Sequence, residues 1–332
     1  MKNPKSPIGM ADIARLAGVS RPTVSRALGD SPLVNQETKD RIKEIAQRHG
    51  FIINRSAQNL RRKQTNTVAV IIDFPALPEE RISDPFHFEL LGNISNALAN
   101  HGQDILLCST QSAHSVPLGQ LMAHKGVDGI IFIGQSGAKG ELKSLAEQGA
   151  PFVVWGAQTA DAKYCVVGSD NPRGGQLVAK RFQSMGRKFA LFIGPRGHEE
   201  IEMRLNGFAD AWEGRFEKLA IHDLSFQSSR EALKNWLDKS TMPPDAIFAG
   251  SDTMAMGALA ALKDAGLAVP KDCTVCGYDD SPAAIYHSPA LTTVKQDTAE
   301  AASLLVDRLM KQVEGNPQPG ALLKTEIIIR DT

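Results

Sequence analysis

Cysteine is scarce in this 332-residue chain: four occur, Cys108, Cys165, Cys273 and Cys276, scattered through apolar, strand-like runs. That distribution excludes the dense disulfide framework of a small secreted domain. Cys273 and Cys276 stand at the spacing of a redox or zinc pair. No second ligand pair accompanies them, and Val275 with Gly277-Tyr278 reads as buried strand, so no metal site is expected. No apolar run reaches the ~18 residues of a membrane span, and the opening residues, with Pro4, Pro7 and Gly9, hold no signal-peptide core. A cytoplasmic protein without membrane contact is expected. Also missing are a Gly-x-x-x-x-Gly-Lys-Ser/Thr phosphate loop, a Gly-x-Ser-x-Gly elbow and a His-Glu-x-x-His pair. His87, His101, His114, His124, His198, His222 and His287 are isolated in sequence, and the adjacent carboxylates Asp279-Asp280 would diverge on a strand. No catalytic residue and no cofactor are expected: the chain binds and does not transform.

Net charge is also missing, because 37 Lys and Arg balance 37 Asp and Glu. The balance hides an asymmetry, since residues 1–65 carry 13 basic against 5 acidic residues and the remainder 24 against 32. A basic head on an acidic body is the electrostatic footprint of a phosphate-binding module, and the body's sign limits nonspecific attachment elsewhere on nucleic acid. The length suits a small module plus a two-lobed body, and an apolar content of 42% is ample for buried cores.

What is present begins with Met10 to Leu28, which reads as two short helices meeting at Gly18-Val19-Ser20. Ile13, Ala14 and Ala17 recur at helical spacing beside Met10, opposite Asp12 and Arg15. Gly18 ends this helix, and Ser20 caps a second whose first turn takes Arg21 and Pro22 without loss. Val24, Ala27 and Leu28 turn that helix back onto the first, leaving Arg21, Pro22, Ser25 and Arg26 on its free side. This N-terminal end is the part that a recognition helix inserts into the DNA major groove. A third amphipathic segment follows Asn35 through Thr38, Ile42, Ile45 and Ala46 and closes at Gly50. A helical hairpin with glycine at its turn also occurs in purely structural domains.

The full string is more specific: Ala14-x-Leu16-Ala17-Gly18-Val19-Ser20, then Thr23-Val24-Ser25-Arg26-x-Leu28, with Asn54-x-x-Ala57-x-x-Leu60 further on. Residues 8–62 resemble the headpiece of the LacI/GalR family of bacterial transcription regulators, and the rest resembles that family's sugar-binding-protein-like core. The resemblance implies a small all-α helix-turn-helix headpiece (residues 1–50), a hinge helix and linker (51–66) and an α/β two-lobed periplasmic-binding-protein-like core of parallel sheets flanked by helices (67–332). It further implies that Asn54, Arg55 and Leu60 belong to a hinge helix formed on DNA, with Leu60 wedged into the minor groove. Packing of Leu60 on its own core is the alternative. Ile53 departs from the family's proline, and Gly9 from a common capping threonine.

Strand-like runs at 68–73, 104–109, 129–134, 152–155, 189–194, 246–250 and 273–278 alternate with helical stretches, the rhythm of parallel sheets with crossover helices. The expected lobes are about 67–160 plus 291–320, and 161–290 plus 321–332, with a late edge strand at 327–330. Ligands of such sheets sit beyond the carboxyl ends of the strands, here between the lobes. The first lobe offers Asp73, Phe74, Gln135, Trp155 and Phe86, the last in Asp84-Pro-Phe-His87, which resembles the family's Asn-Pro-Phe-Phe loop. The second offers Arg204, matching the family's effector-clamping arginine, with Ser251-Asp252 and Tyr278-Asp279-Asp280. An arginine fork and a carboxylate facing apolar rings suit a neutral sugar or short glycoside. Each residue has a plainer reading: Asp252 and Asp279 as helix caps, Arg204 as a salt bridge, Trp155 as core. Gly156 and Leu224 stand where some members carry an aspartate and an aromatic, and Phe226 is the nearby ring.

The expected function is a symmetric dimeric repressor on a pseudo-palindromic operator, Arg21 and Arg26 at base edges and Thr23 and Ser25 at phosphates, released or recruited by a bound sugar. A transport-type sugar-binding protein and an α/β enzyme with an appended head are the other classes.

Overall fold

A computed structural model of the chain describes residues 8–51, 65–72, 84–109, 118–135 and 139–332. The hinge residues Asn54, Arg55 and Leu60, and the strand-end residues Asp73 and Phe74, lie outside this set. The chain divides into two compact units, Met1–Thr65 and Asn66–Thr332.

In the first unit, α1 (Met10–Ala17), α2 (Arg21–Leu28) and α3 (Gln36–Arg48) enclose Ile13, Ala14, Ala17, Val24, Ala27, Val34 and Ile42. Gly9 begins α1 without a capping side chain of its own; instead Asp12 reaches back to accept from its N–H at 3.1 Å. Gly18 ends α1 with φ of 65°, where a side chain would be strained. Asn35 starts α3 by accepting from the Thr38 N–H at 2.8 Å.

The second unit contains β1 (Thr67–Ile72), α4 (Pro85–Asn100), β2 (Asp104–Ser109), α5 (Leu118–Lys125), β3 (Gly129–Ile133), α6 (Lys139–Glu147), β4 (Phe152–Trp155) and β5 (Cys165–Ser169). It continues with α7 (Asn171–Ser184), β6 (Phe189–Pro195), α8 (Glu199–Ala211), β7 (Arg215–Ile221), α9 (Phe226–Leu237), β8 (Ala246–Ala249), α10 (Asp252–Asp264) and β9 (Thr274–Asp279). The chain closes through α11 (Pro282–Tyr286), β10 (Thr292–Lys295), α12 (Thr298–Val313), β11 (Ala321–Leu323) and β12 (Glu326–Ile328). One sheet runs β11-β5-β4-β3-β1-β2 and the other β12-β10-β9-β8-β6-β7. Among the described residues every pairing is parallel except β10 with β12.

Both faces of the first sheet are buried, so its strands read as continuous apolar runs. Val68, Val70 and Ile72 face α4 and α12, while Ala69 and Ile71 face the opposite side with Leu142 and Leu145 of α6. The second sheet is filled from Phe182, Phe192, Phe208 and Phe248.

Sheet membership corrects the lobe boundaries expected from sequence. Cys165–Ser169 and Ala321–Leu323 join the first sheet, and Thr292–Lys295 the second. A short apolar strand suits either sheet, and only the crossovers decide which one receives it. The chain therefore crosses between lobes near Asp170, Gln296 and Lys324. These three crossings are tied together: Ser169 Oγ donates to Gln296 Oε1 at 2.5 Å, and the Asp170 N–H donates to Thr325 Oγ1 at 3.1 Å.

Helices α7 and α8 meet almost backbone to backbone. A Cβ on Gly175 would lie 2.0 Å from the Arg204 carbonyl, and one on Gly207 would lie 2.0 Å from that of Pro172. Glycine at both positions is what lets Asn171, at the start of α7, stand beside Arg204 on α8.

Candidate functional site

The structure leaves one face of α2 free of packing. Ser20 caps the helix by accepting from the Thr23 N–H at 3.3 Å, and its hydroxyl is 2.9 Å from that of Thr23. Pro22 lies in the first turn, where a missing N–H is harmless. Val24 and Ala27 are buried, which turns Arg21, Pro22 and Arg26 to solvent, with Thr23 and Ser25 half-buried.

In the second unit, Asp84, Phe86, His87, Trp155, Glu200, Arg204, Ser251, Asp279 and Gln296 are among the residues around one cleft between the lobes. The sequence candidates Phe86, Trp155, Arg204, Ser251 and Asp279 are thus brought together. Trp155 is at once wall and core: it ends β4, is nearly buried, and its ring centroid lies 5.9 Å from that of Phe86. Asp84 fixes Phe86 by accepting from its N–H at 2.9 Å.

Across the cleft, Arg204 is 6% exposed. Its Nε donates to Asn171 Oδ1 at 2.8 Å, one terminal nitrogen donates to the Gly250 carbonyl at 2.6 Å, and the guanidinium lies 3.7 Å from the Tyr278 ring centroid. The same terminal nitrogen that holds Gly250 stands 3.9 Å from Asp279. Asp279 closes β9 with φ of 130°, a conformation that costs an L-residue on the order of 1–3 kcal/mol and is commonest at functional sites. Gln296, on the second crossing, holds it through a 2.7 Å bond to Oδ1. Burial pushes the Asp279 carboxyl well above the usual carboxylate range, with Arg204 opposing.

Two candidates stand elsewhere. Asp252 does not line the cleft: its carboxylate accepts from the Ser281 N–H at 2.8 Å and from the Thr293 hydroxyl, joining α10, α11 and β10. Burial raises its pKa to about 7, those hydrogen bonds opposing. Gln135 is 1% exposed and donates to the Ala157 carbonyl at 2.7 Å and to Glu199 Oε2 at 3.0 Å. Leu224 does line the cleft, whereas Phe226 does not supply a ring to it. Tyr278 lies beneath Arg204, and Asp280 is paired with Arg330.

Sequence reading missed Glu200, His198, Asn171 and Gln296. Glu200 stands one helical turn before Arg204, a spacing that puts both on one face of α8 and was visible in the sequence. A Cβ built on Gly156 would stand 3.3 Å from its carboxylate, so the glycine leaves room for an acid from the opposite lobe. Burial raises the Glu200 pKa and lowers those of His87 and His198. Among the described residues no cluster of three His, Cys, Asp or Glu could hold a metal ion, and no helix is long and apolar enough to cross a membrane.

Comparison with known proteins agrees with both units. A family model described as bacterial regulatory proteins, lacI family, matches residues 9–54, and one for a periplasmic binding protein-like domain matches residues 176–332. The HTH-type transcriptional regulator CelR of Thermobifida fusca is 30% identical over 334 residues, 96% of each chain. The HTH-type transcriptional repressor CytR of Escherichia coli K12 is 30% identical over 337 residues, 97% of this chain and 95% of that one. A solved CelR–cellobiose complex aligns with a TM-score of 0.70 at 26% identity, covering 98% of this chain and 99% of the other. The Lac repressor dimer bound to operator and the anti-inducer ONPF shares the fold, with a TM-score of 0.82 at 23% identity over 98% of this chain and 99% of that one. Identity at this level along head and core alike places the protein in the lacI family of bacterial regulatory proteins, as a DNA-binding transcriptional regulator.

Proposed function

We propose that the protein is a homodimeric repressor acting in the cytoplasm on pseudo-palindromic operator DNA, and that a neutral sugar or short glycoside between its lobes sets its DNA affinity without being turned over. One observation carries the ligand class: the Arg204 guanidinium and the Asp279 carboxyl face the paired rings of Phe86 and Trp155. Hydroxyl pairs suit the polar wall, and the C–H face of a pyranose suits the rings.

A thermal-shift screen of the intact protein against neutral sugars including cellobiose, glycosides, sugar phosphates, nucleosides and purines tests this. A ligand at about 100 times its Kd adds roughly 2.7 kcal/mol of stability. Stabilisation by neutral sugars or glycosides is expected, while a response confined to phosphorylated compounds or purines overturns the proposed ligand class.

On DNA, Arg26→Ala should relax preference at one base pair per half-site by about 1–3 kcal/mol and leave sugar binding intact. Base-by-base substitution of the bound operator measures this, and an unchanged preference removes Arg26 from base reading. The hinge assignments of Asn54, Arg55 and Leu60 belong to the same proposal, Leu60 as the minor-groove wedge.

A further inference from the structure

Helix α8 opens with Glu199, Glu200 and Glu202, acids that ordinarily serve a helix N-terminus. Glu202 is used that way, accepting from the Gly197 N–H at 3.0 Å. Glu199 crosses to the other lobe. One of its oxygens pairs with Lys139 at the start of α6, and the other accepts from Gln135 Nε2 at 3.0 Å. Gln135 is buried and anchored to the Ala157 carbonyl, so this second contact is fixed in place, whereas the lysine is 46% exposed. Five residues later the same helix carries Arg204.

We propose that Glu199 is a positioning residue, an interlobe latch that sets how often the cleft is closed and thereby when Arg204 faces the rings of the first lobe. This rests on reading the cleft as the effector site. The latch is graded for a switch: a half-exposed ion pair is weak and salt-screened, and one hydrogen bond to a charged group adds modestly to it. Together they bias closed over open by about five- to tenfold, a margin that a ligand or a dimer contact can override. The three tied crossings supply the hinge about which the lobes turn.

The test needs no ligand. The full chain carries spin labels at Glu147→Cys on α6 and Lys234→Cys on α9, both exposed, while the four native cysteines are buried. Pulsed electron paramagnetic resonance then reads the interlobe distance. The parent should show a dominant short distance that broadens toward longer values in 1 M NaCl. Lys139→Glu and Glu199→Lys should each lower the ratio of short to long distances about five- to tenfold, and the double exchange, which rebuilds the ion pair, should restore much of it. Glu199→Gln, which keeps the side-chain shape, should fall between, and melting temperatures show that each variant folds. Identical distributions in folded single variants, or an exchange that restores nothing, would overturn the latch. A ligand screen without hits would refute the effector reading yet leave these distances unchanged, so the two proposals fail separately.

Discussion

Arg204→Ala should weaken sugar binding at least about 100-fold and lower stability by about 3–5 kcal/mol, while the headpiece keeps its base preferences. The affinity loss follows from removing the donor that faces the ligand. The stability loss has a separate origin: Asp279 is buried, and the guanidinium is the cation beside it. Without that cation the carboxyl stays neutral or loses packing, and the Gly250 carbonyl and Asn171 amide lose their donor. Arg204→Lys restores the charge but not the flat group over Tyr278 or the two fixed donors, so it should recover stability in part and affinity hardly at all. Titration calorimetry with the screened sugar and urea unfolding read the two effects. Unchanged affinity in Arg204→Ala would remove the arginine from the binding site.

Asp252 predicts a pH dependence of the opposite sign to that of an ion-paired carboxylate. Its folded pKa is raised to about 7, against an ordinary value of 3.8. The folded state therefore binds a proton that the unfolded chain releases earlier. The stability from that proton is complete below about pH 4 and is lost as pH rises through about 7. Between pH 5 and pH 8 the loss amounts to about 3 kcal/mol, with Asp279 acting in the same direction. Asp252→Asn should remove about that much of the fall, because the amide has no proton to release at the junction of α10, α11 and β10. Urea midpoints across this pH range decide it: an undiminished slope in the variant would show that Asp252 is not the titrating group.

Much of this was legible in the chain. The Gly18 break, the Ser20 cap and the inward Val24 and Ala27 follow from local chemistry, and local chemistry is what the folded head contains. Trp155, Ser251 and Asp279 were found because strand ends in parallel sheets point to one cleft, and Arg204 and Phe86 through the family resemblance. What failed was what depends on contacts distant in sequence. Cys165–Ser169 reads as a buried strand, but only its pairing with β4 and β11 assigns it to the first sheet. Asp252 follows β8 and Asp279 ends β9, yet the turn after β8 directs the first carboxylate to Ser281 and Thr293 while the second stands at the cleft. Glu200 was hidden in a run of acids that resembles an ordinary helix start. Gln135 was read as a ligand residue because nothing in sequence announces that Glu199, from the other lobe, occupies its amide.

The order in which the sheets are assembled bears on synthesis. The edge strand β11 of the first sheet comes from Ala321–Leu323, and α12, which covers one face of that sheet, begins only at Thr298. Neither lobe can close its core while the chain is still emerging from the ribosome, because each awaits a segment from the far end. The head has its own core and its last helix ends at Arg48. A translation product halted before α12 would hold a finished headpiece on a body whose first sheet lacks both its edge strand and one covering helix.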